Sequence, residues 1–256
     1  IHMTTVLTVS FFVLGAIVAS FIGVVVARMH TGQSFFIGRS RCDACNAILA
    51  PHSLIPLISF MTARGRANCC GARLSPIAPI SEGALGGFFA LSYLTLGISI
   101  TLVFMLLSLS ILLALVLYDL AHQILPPSLL GAFVVVSAGA AFVNASSITL
   151  FLEMLRNASF IAAVLAAIHL LSRGRAIGFS DAPLAFGLAL LVGPSAFSGF
   201  IFSFWIGAVI GIVLLLKRPK GSRMGVEVPF APFLAAGFLL AYFTQWNPFT
   251  LIAASL

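Results

Sequence analysis

An all-α polytopic membrane protein, with about eight transmembrane helices and one small cysteine-bearing loop domain between the first two, is the fold this sequence predicts. Three observations predict it: a chain of 256 residues that is 61% hydrophobic and 7% charged, long apolar runs, and basic residues gathered into a few loops. A mean hydropathy of +1.18 leaves too little polar sequence to cover a water-soluble globule, so that class is excluded.

Crossing hydrocarbon about 30 Å thick takes roughly 20 helical residues, which places helices at roughly 4–28, 77–97, 99–121, 127–145, 148–172, 177–193, 197–216 and 229–247. Residues 1–3 read as a cloning scar with a start at Met3. The run after them is too long for a cleaved signal peptide, so 4–28 is a retained helix. Residues 29–76 are polar and turn-rich, and 77–256 supply the other seven helices.

Basic residues in short loops stay on the cytoplasmic side. Arg28, Arg39, Arg41, Arg64, Arg66 and Arg73 flank or occupy the first long loop, Arg173 and Arg175 follow the fifth helix, and Lys217, Arg218, Lys220 and Arg223 follow the seventh. Only Arg156 falls elsewhere. Both termini are therefore expected outside, with the cysteine loop inside. The net charge of +7 is then topological, matched by anionic inner-leaflet lipid, and nucleic-acid binding is not predicted.

All four cysteines fall in that loop: Cys42 and Cys45 as Cys-x-x-Cys, then adjacent Cys69 and Cys70. A Cys-x-x-Cys turn presents two thiolates to one tetrahedral ion, and a second pair closes the shell, as in a zinc knuckle of structural type. Adjacent cysteines seldom aim both sulfurs at one metal, so Cys70 ligates with either Cys69 or His52 completing the site. A disulfide is the alternative, against which a reducing cytoplasm argues.

Two carboxylates, Asp119 and Asp181, lie where apolar runs give way to turn-rich loops. An ionisable side chain in a membrane segment costs on the order of 3 kcal/mol on insertion scales and so marks a working site. Two carboxyls a few ångströms apart cannot both ionise cheaply, so one keeps a proton while the other acts as a base. Gly178, Pro126, Pro127 and Pro183 offer helix breaks near them, which simple helix termination also explains.

The order of motifs along nearly the whole chain resembles the type IV prepilin peptidases, membrane aspartyl proteases of the GxGD type that also carry N-methyltransferase activity. The matching residues begin with Gly15 to Phe21, Arg28 and Ser34, and continue through the Arg39 to Cys45 stretch, Leu54-Ile55-Pro56 and Arg64-Gly65-Arg66. Cys70-Gly71, Ser75-Pro76, Pro79, Glu82 and the Glu227 to Phe233 segment follow in order. The resemblance implies that Asp119, in Tyr118-Asp119 ahead of Ile124-Leu125-Pro126, and Asp181, in Gly178-Phe179-Ser180-Asp181, are the catalytic pair, supported by Gly178, Ser180 and Pro126. It makes 77–256 the peptidase domain, in a bacterial inner membrane with its site on the cytoplasmic face. It implies a prepilin or pseudopilin substrate with a basic leader and an apolar helix, packing through small residues such as Gly83, Gly86 and Gly87. It further implies S-adenosylmethionine as methyl donor, although no Gly-x-Gly-x-x-Gly fingerprint accompanies it. Proteolysis needs no cofactor.

This chain departs from the family pattern at four places: Ser180 stands for glycine, Pro183 for lysine, Pro127 for an acidic residue and Ala67 for the first cysteine of the second pair. A catalytically impaired relative that binds prepilins is therefore an alternative, and a proton-coupled carrier using the two aspartates is another. Glu82 has three readings: a hold on the loop domain through Arg64 or Arg66, a contact for the new amino terminus, or a carboxylate favoured by a helix start. Glu153 and Arg156, three apart, are placed to pair on one helical face. His122 is placed to tune Asp119, and His169 is assigned to a helix end without a ligand role.

Overall fold

A computed structural model gives the fold and describes residues 2–29, 42, 44–48, 55–216 and 229–248. Ser34, residues 39–41, Asp43, His52, Leu54, Lys217, Arg218, Lys220, Arg223, Glu227 and Val228, all used above, lie outside the described residues. The chain forms two compact units, residues 1–102 and 103–256. Among the described residues the regular elements are helices, and an isolated β-bridge joins Arg66 and Arg73.

The first unit is built on two long helices, α1 (His2–Arg28) and α3 (Ile77–Leu96), with a short helical turn, α2 (Ile58–Thr62), between them. Lipid tails give apolar helices no hydrophobic reason to associate, so close backbone approach at small residues must hold them. Gly15 and Gly86 supply it: a Cβ on Gly15 would meet Leu85 O at 2.7 Å, and one on Gly86 would meet Phe12 O at 2.8 Å. Gly86 is therefore used inside the protein and not left for a substrate helix, while nothing lies within 4 Å of a Cβ at Gly87. The stacked Phe11 and Tyr93 rings, 4.9 Å apart, complete the contact.

The second unit contains α4 (Ile100–His122), α5 (Pro127–Asn144), α6 (Ile148–Ser172), α7 (Asp181–Val192), α8 (Ala196–Leu216) and α9 (Ala231–Thr244). Pro127 opens α5 at its first turn, where a missing N–H costs nothing. The Ser147 hydroxyl caps α6 by accepting the Leu150 N–H at 3.2 Å. Apolar on every side, α7 is buried nearly throughout and touches α5, α6, α8 and α9, as expected for a helix with no polar face.

All eight expected helices are present, with ends within a few residues of those predicted, but they differ in length. Six stretches are long and apolar enough to cross a membrane by length and composition. One of these, Asp181–Leu216, joins α7 to α8 through a 3-10 turn at Gly193–Ser195. Gly193 takes φ +59 and Pro194 follows it, so the pair ends α7 after 12 residues. At 14 residues, α9 is also shorter than a full span.

Candidate active site

Asp119 sits in the last turn of α4 and Asp181 is the first residue of α7, and both are buried, at 6% and 7% exposure. They line one open cleft of about 640 Å³ together with Gln123, Arg173, Ile177, Gly178, Ser180 and Phe230. Asp119 lies near enough for its charge to act on Asp181. Non-helical backbone forms much of the wall: residues 123–125, 173–178 and 229–230. Within a membrane such backbone survives where it lines a cavity that admits water.

Backbone donors at two helix starts hold the carboxylates. The Gly178 N–H donates to Asp181 Oδ2 at 3.1 Å, and the Ala231 N–H, at the first position of α9, donates to Asp119 Oδ2 at 3.3 Å. A carboxylate at a helix N-terminus is favoured by the unpaired N–H groups there. The match of Pro229 to Phe233 pointed to this segment, but only the fold assigns it to Asp119. Gln123, in the left-handed region at φ +56, ends α4 by donating its N–H to Asp119 O at 2.8 Å, which turns the chain toward Leu125 and Pro126.

Ser180 adopts φ −67°, ψ −16°, ordinary helical backbone, so the glycine of the family pattern is not needed there for its conformational freedom. Pro183 lies in the first turn of α7, where its missing N–H donor costs no helical hydrogen bond. Pro126 is buried and extended at the start of α5 and sets the exit from the cleft wall. The tilted His122 and Tyr118 rings lie 4.4 Å apart, and His122 is exposed. His169 lies at a helix end, as the sequence indicated, where it donates to Ile177 O at 2.8 Å and meets the Phe179 ring at 5.6 Å. Glu153 and Arg156 are exposed on α6, where an ion pair would contribute little.

In the other unit the four thiols converge: Cys42 Sγ lies 3.8 Å from Cys70 Sγ, Cys45 Sγ lies 3.4 Å from Cys69 Sγ, and all four lie within 4.8 Å of one another. A tetrahedral ion with metal–sulfur bonds of about 2.3 Å spaces its sulfurs about 3.8 Å apart, so this donor set fits a metal. Two turns of the same design present the thiols. In one, Cys42 N donates to Ala47 O at 2.9 Å and Asn46 N to Cys42 O at 2.8 Å. In the other, Ala67 N donates to Ala72 O at 2.8 Å and Gly71 N to Ala67 O at 2.7 Å. Asn46 and Gly71 both take positive φ. Ala67 thus holds the place that Cys42 holds in the first turn, Cys70 matches Cys45, and Cys69 brings the fourth sulfur from within the turn. The N–H groups of Cys45 and then Ala44 lower the Cys42 thiol to about 7, while hydrogen bonds among the thiols, first with Cys45 and then with Cys42, push Cys69 up to about 12.

Glu82 is buried in α3 and its Oε2 accepts the Leu57 N–H at 2.7 Å. It anchors the loop domain through backbone, at a Leu57 that takes φ +61, and not through Arg64 or Arg66.

Comparison with known proteins agrees with this architecture. Residues 13–96 match the family model described as the Bacterial Peptidase A24 N-terminal domain. The prepilin leader peptidase/N-methyltransferase of Bacillus subtilis (strain 168) is 30% identical over 232 residues, 90% of this chain and 92% of that protein. The chain belongs to the prepilin leader peptidase/N-methyltransferase family. The relative of the same name from Legionella pneumophila is 30% identical over 225 residues, 82% of this chain and 74% of that protein, and the one from Myxococcus xanthus is 39% identical over 118 residues, 46% and 35%. No solved structure matches. As a member of this family with six membrane-length apolar stretches, the chain is a multi-pass membrane protein.

Proposed function

We propose that the protein is an aspartyl endopeptidase that removes the basic leader from a prepilin or pseudopilin at the cytoplasmic membrane face, with Asp119 and Asp181 as its catalytic pair. The observation that carries this reading is the convergence of two buried carboxylates, each held by a backbone N–H, on one cleft walled by non-helical chain. Family membership supports the substrate. The basic Arg173 and Arg175 that line the cleft, together with the run of basic residues after α8 in the sequence, support the cytoplasmic side.

The chemistry divides between the two carboxyls. One, ionised, takes a proton from a water molecule in the cleft as the water oxygen bonds to the scissile carbonyl carbon. The other, protonated, gives its proton to the carbonyl oxygen. When the tetrahedral adduct collapses, the carbon–nitrogen bond breaks, the proton gained from water passes to the leaving amine, and a hydroxyl proton of the adduct returns to the carboxylate that had protonated the carbonyl oxygen. Fixing both carboxyls by backbone donors keeps them in reach of the same carbonyl, which is where much of the rate advantage of a held pair arises.

Cys42, Cys45, Cys69 and Cys70 would hold a zinc ion of structural type, which ties the two turns of the loop domain together and supplies no step in peptide hydrolysis. The family name also carries N-methylation, with S-adenosylmethionine as donor, and the buried Glu82 stands in the unit that would serve it.

Purified prepilin incubated in detergent with wild type, Asp119→Asn and Asp181→Asn, with products read by mass spectrometry, tests the reading. Cleavage after the leader by wild type alone upholds it, and a further gain of about 14 Da with S-adenosylmethionine adds methylation. If wild type leaves prepilin intact yet captures it, the chain is a binding protein.

A further inference from the structure

We propose that His169 is a positioning residue for Asp181, acting through the single peptide plane that joins Ile177 to Gly178; the inference rests on the proposed catalytic role of Asp181. The carbonyl of that plane accepts from His169 Nδ1 at 2.8 Å, and its N–H donates to Asp181 Oδ2 at 3.1 Å. A carbonyl oxygen can only accept, so Nδ1 carries the proton and the tautomer is fixed by its partner. A trans peptide is planar and rigid, with C=O and N–H on opposite edges, and the described residues have no cis bonds. Turning the carbonyl toward His169 therefore turns the N–H toward Asp181. The two hydrogen bonds run through one amide, so each polarises the other.

The surroundings of His169 hold its ring in that pose. It lies in the last turn of α6. There Arg173 takes φ +53 and Gly174 takes φ +75, the left-handed exit that reverses the chain at a helix end. A Cβ at Gly174 would stand 3.3 Å from His169 Cε1, so the loop wraps directly over the imidazole, and Phe179 closes the far side edge-on. The Gly174 N–H returns to His169 O at 2.9 Å. The loop wound around His169 is the same loop that supplies the cleft wall from Arg173 to Gly178.

Three variants separate the hydrogen bond from the bulk of the ring. His169→Phe keeps the ring without the donor, His169→Asn places an amide N–H where Nδ1 stood, and His169→Ala removes both. Misorienting a catalytic group lowers turnover more than substrate binding, so His169→Phe and His169→Ala should lower kcat by about 10- to 100-fold with KM changed by less than about three-fold. His169→Asn should recover kcat to within about three-fold of wild type. Trypsin cleavage after Arg173 and Arg175 in the folded protein reads the same loop without any need for catalysis, and should be at least about five-fold faster in His169→Phe than in wild type or His169→Asn. A kcat for His169→Phe within about two-fold of wild type overturns the proposal, as does His169→Asn being as impaired as His169→Phe. If wild type cleaves no prepilin while the trypsin pattern holds, the peptidase reading fails and the grip of His169 on the loop stands; if the trypsin rates are equal in all variants, the proposal fails whatever the cleavage assay gives.

Discussion

Two turns spanning residues 42–47 and 67–72 bring four sulfurs within 4.8 Å of one another, and each turn closes on hydrogen bonds within itself. The carboxylates of Asp119 and Asp181 instead meet through α4, α7, α9 and the loop after α6; Asp181 takes its donor from Gly178 close by, whereas Asp119 takes its donor from Ala231 in a distant part of the chain. Both sites gather groups that repel when ionised. The thiols are mostly exposed, whereas the carboxyls are buried and each meets a fixed backbone N–H. The contrast teaches that the first cluster is assembled by two short turns, while the second depends on the packing of several helices of the second unit, which fits the structural and chemical roles proposed for them.

The largest expected effect tests whether the two sites are separable. Asp119→Asn and Asp181→Asn should each lower prepilin cleavage by at least about 10³-fold, since members of a catalytic unit fail together. Metal content, measured by plasma mass spectrometry on the same preparations, should be unchanged. A loss of metal in either aspartate variant would mean that the sites are coupled and the division drawn here is wrong.

Next comes the irregular cysteine pair. Cys69→Ala should weaken zinc affinity by on the order of 10²-fold, because a tetrahedral site left with three thiolates binds far less tightly. Adding Ala67→Cys to that variant should restore much of the affinity, since Ala67 repeats the backbone hydrogen bonds of Cys42. Competition with a chromogenic chelator measures both. Affinity that survives Cys69→Ala would assign the fourth ligand elsewhere.

How much of this was legible in the sequence follows from the range of each interaction. The eight helices were, since hydropathy and the Pro and Gly punctuation near residues 126, 178 and 193 are local signals. Asp119 and Asp181 stood out because a carboxylate in an apolar run is costly. Their shared cleft follows from the fold alone, and so does the Ala231 N–H, a backbone group with no side-chain signature. The sequence placed His169 at a helix end but gave no sign of its hydrogen bond, because its partner is also a backbone atom, the carbonyl of Ile177. Adjacent cysteines seldom aim both sulfurs at one metal, which left the fourth ligand open between Cys69 and His52; the tight turn closed at Gly71 brings both Cys69 and Cys70 into the cluster.

Glu82 sharpens the comparison from the structural side. Glu82→Ala strands the Leu57 N–H and should cost about 1–3 kcal/mol of stability, whereas Glu82→Gln keeps an acceptor and should cost less than about 1 kcal/mol. Thermal unfolding in detergent measures both. If Glu82→Gln instead leaves stability intact but removes methylation of a cleaved substrate, the carboxylate has a chemical part beyond anchoring the loop domain.

The smallest expected effect falls on the position where this chain departs from its family beside the catalytic pair. Ser180 precedes Asp181 with φ −67° and ψ −16°, a conformation open to any residue, and its side chain makes no capping hydrogen bond. Backbone strain therefore gives no reason for glycine at this position. Ser180→Gly should change cleavage by less than about three-fold and cost at most about 1 kcal/mol, the entropy of a freer unfolded chain. Ser180 does line the cleft, half-buried beside Gly178. A rise in turnover of ten-fold or more in Ser180→Gly would show that the hydroxymethyl group occupies space the substrate needs. The family glycine would then serve access to the carboxylates, and this chain would be a slower peptidase for having filled it.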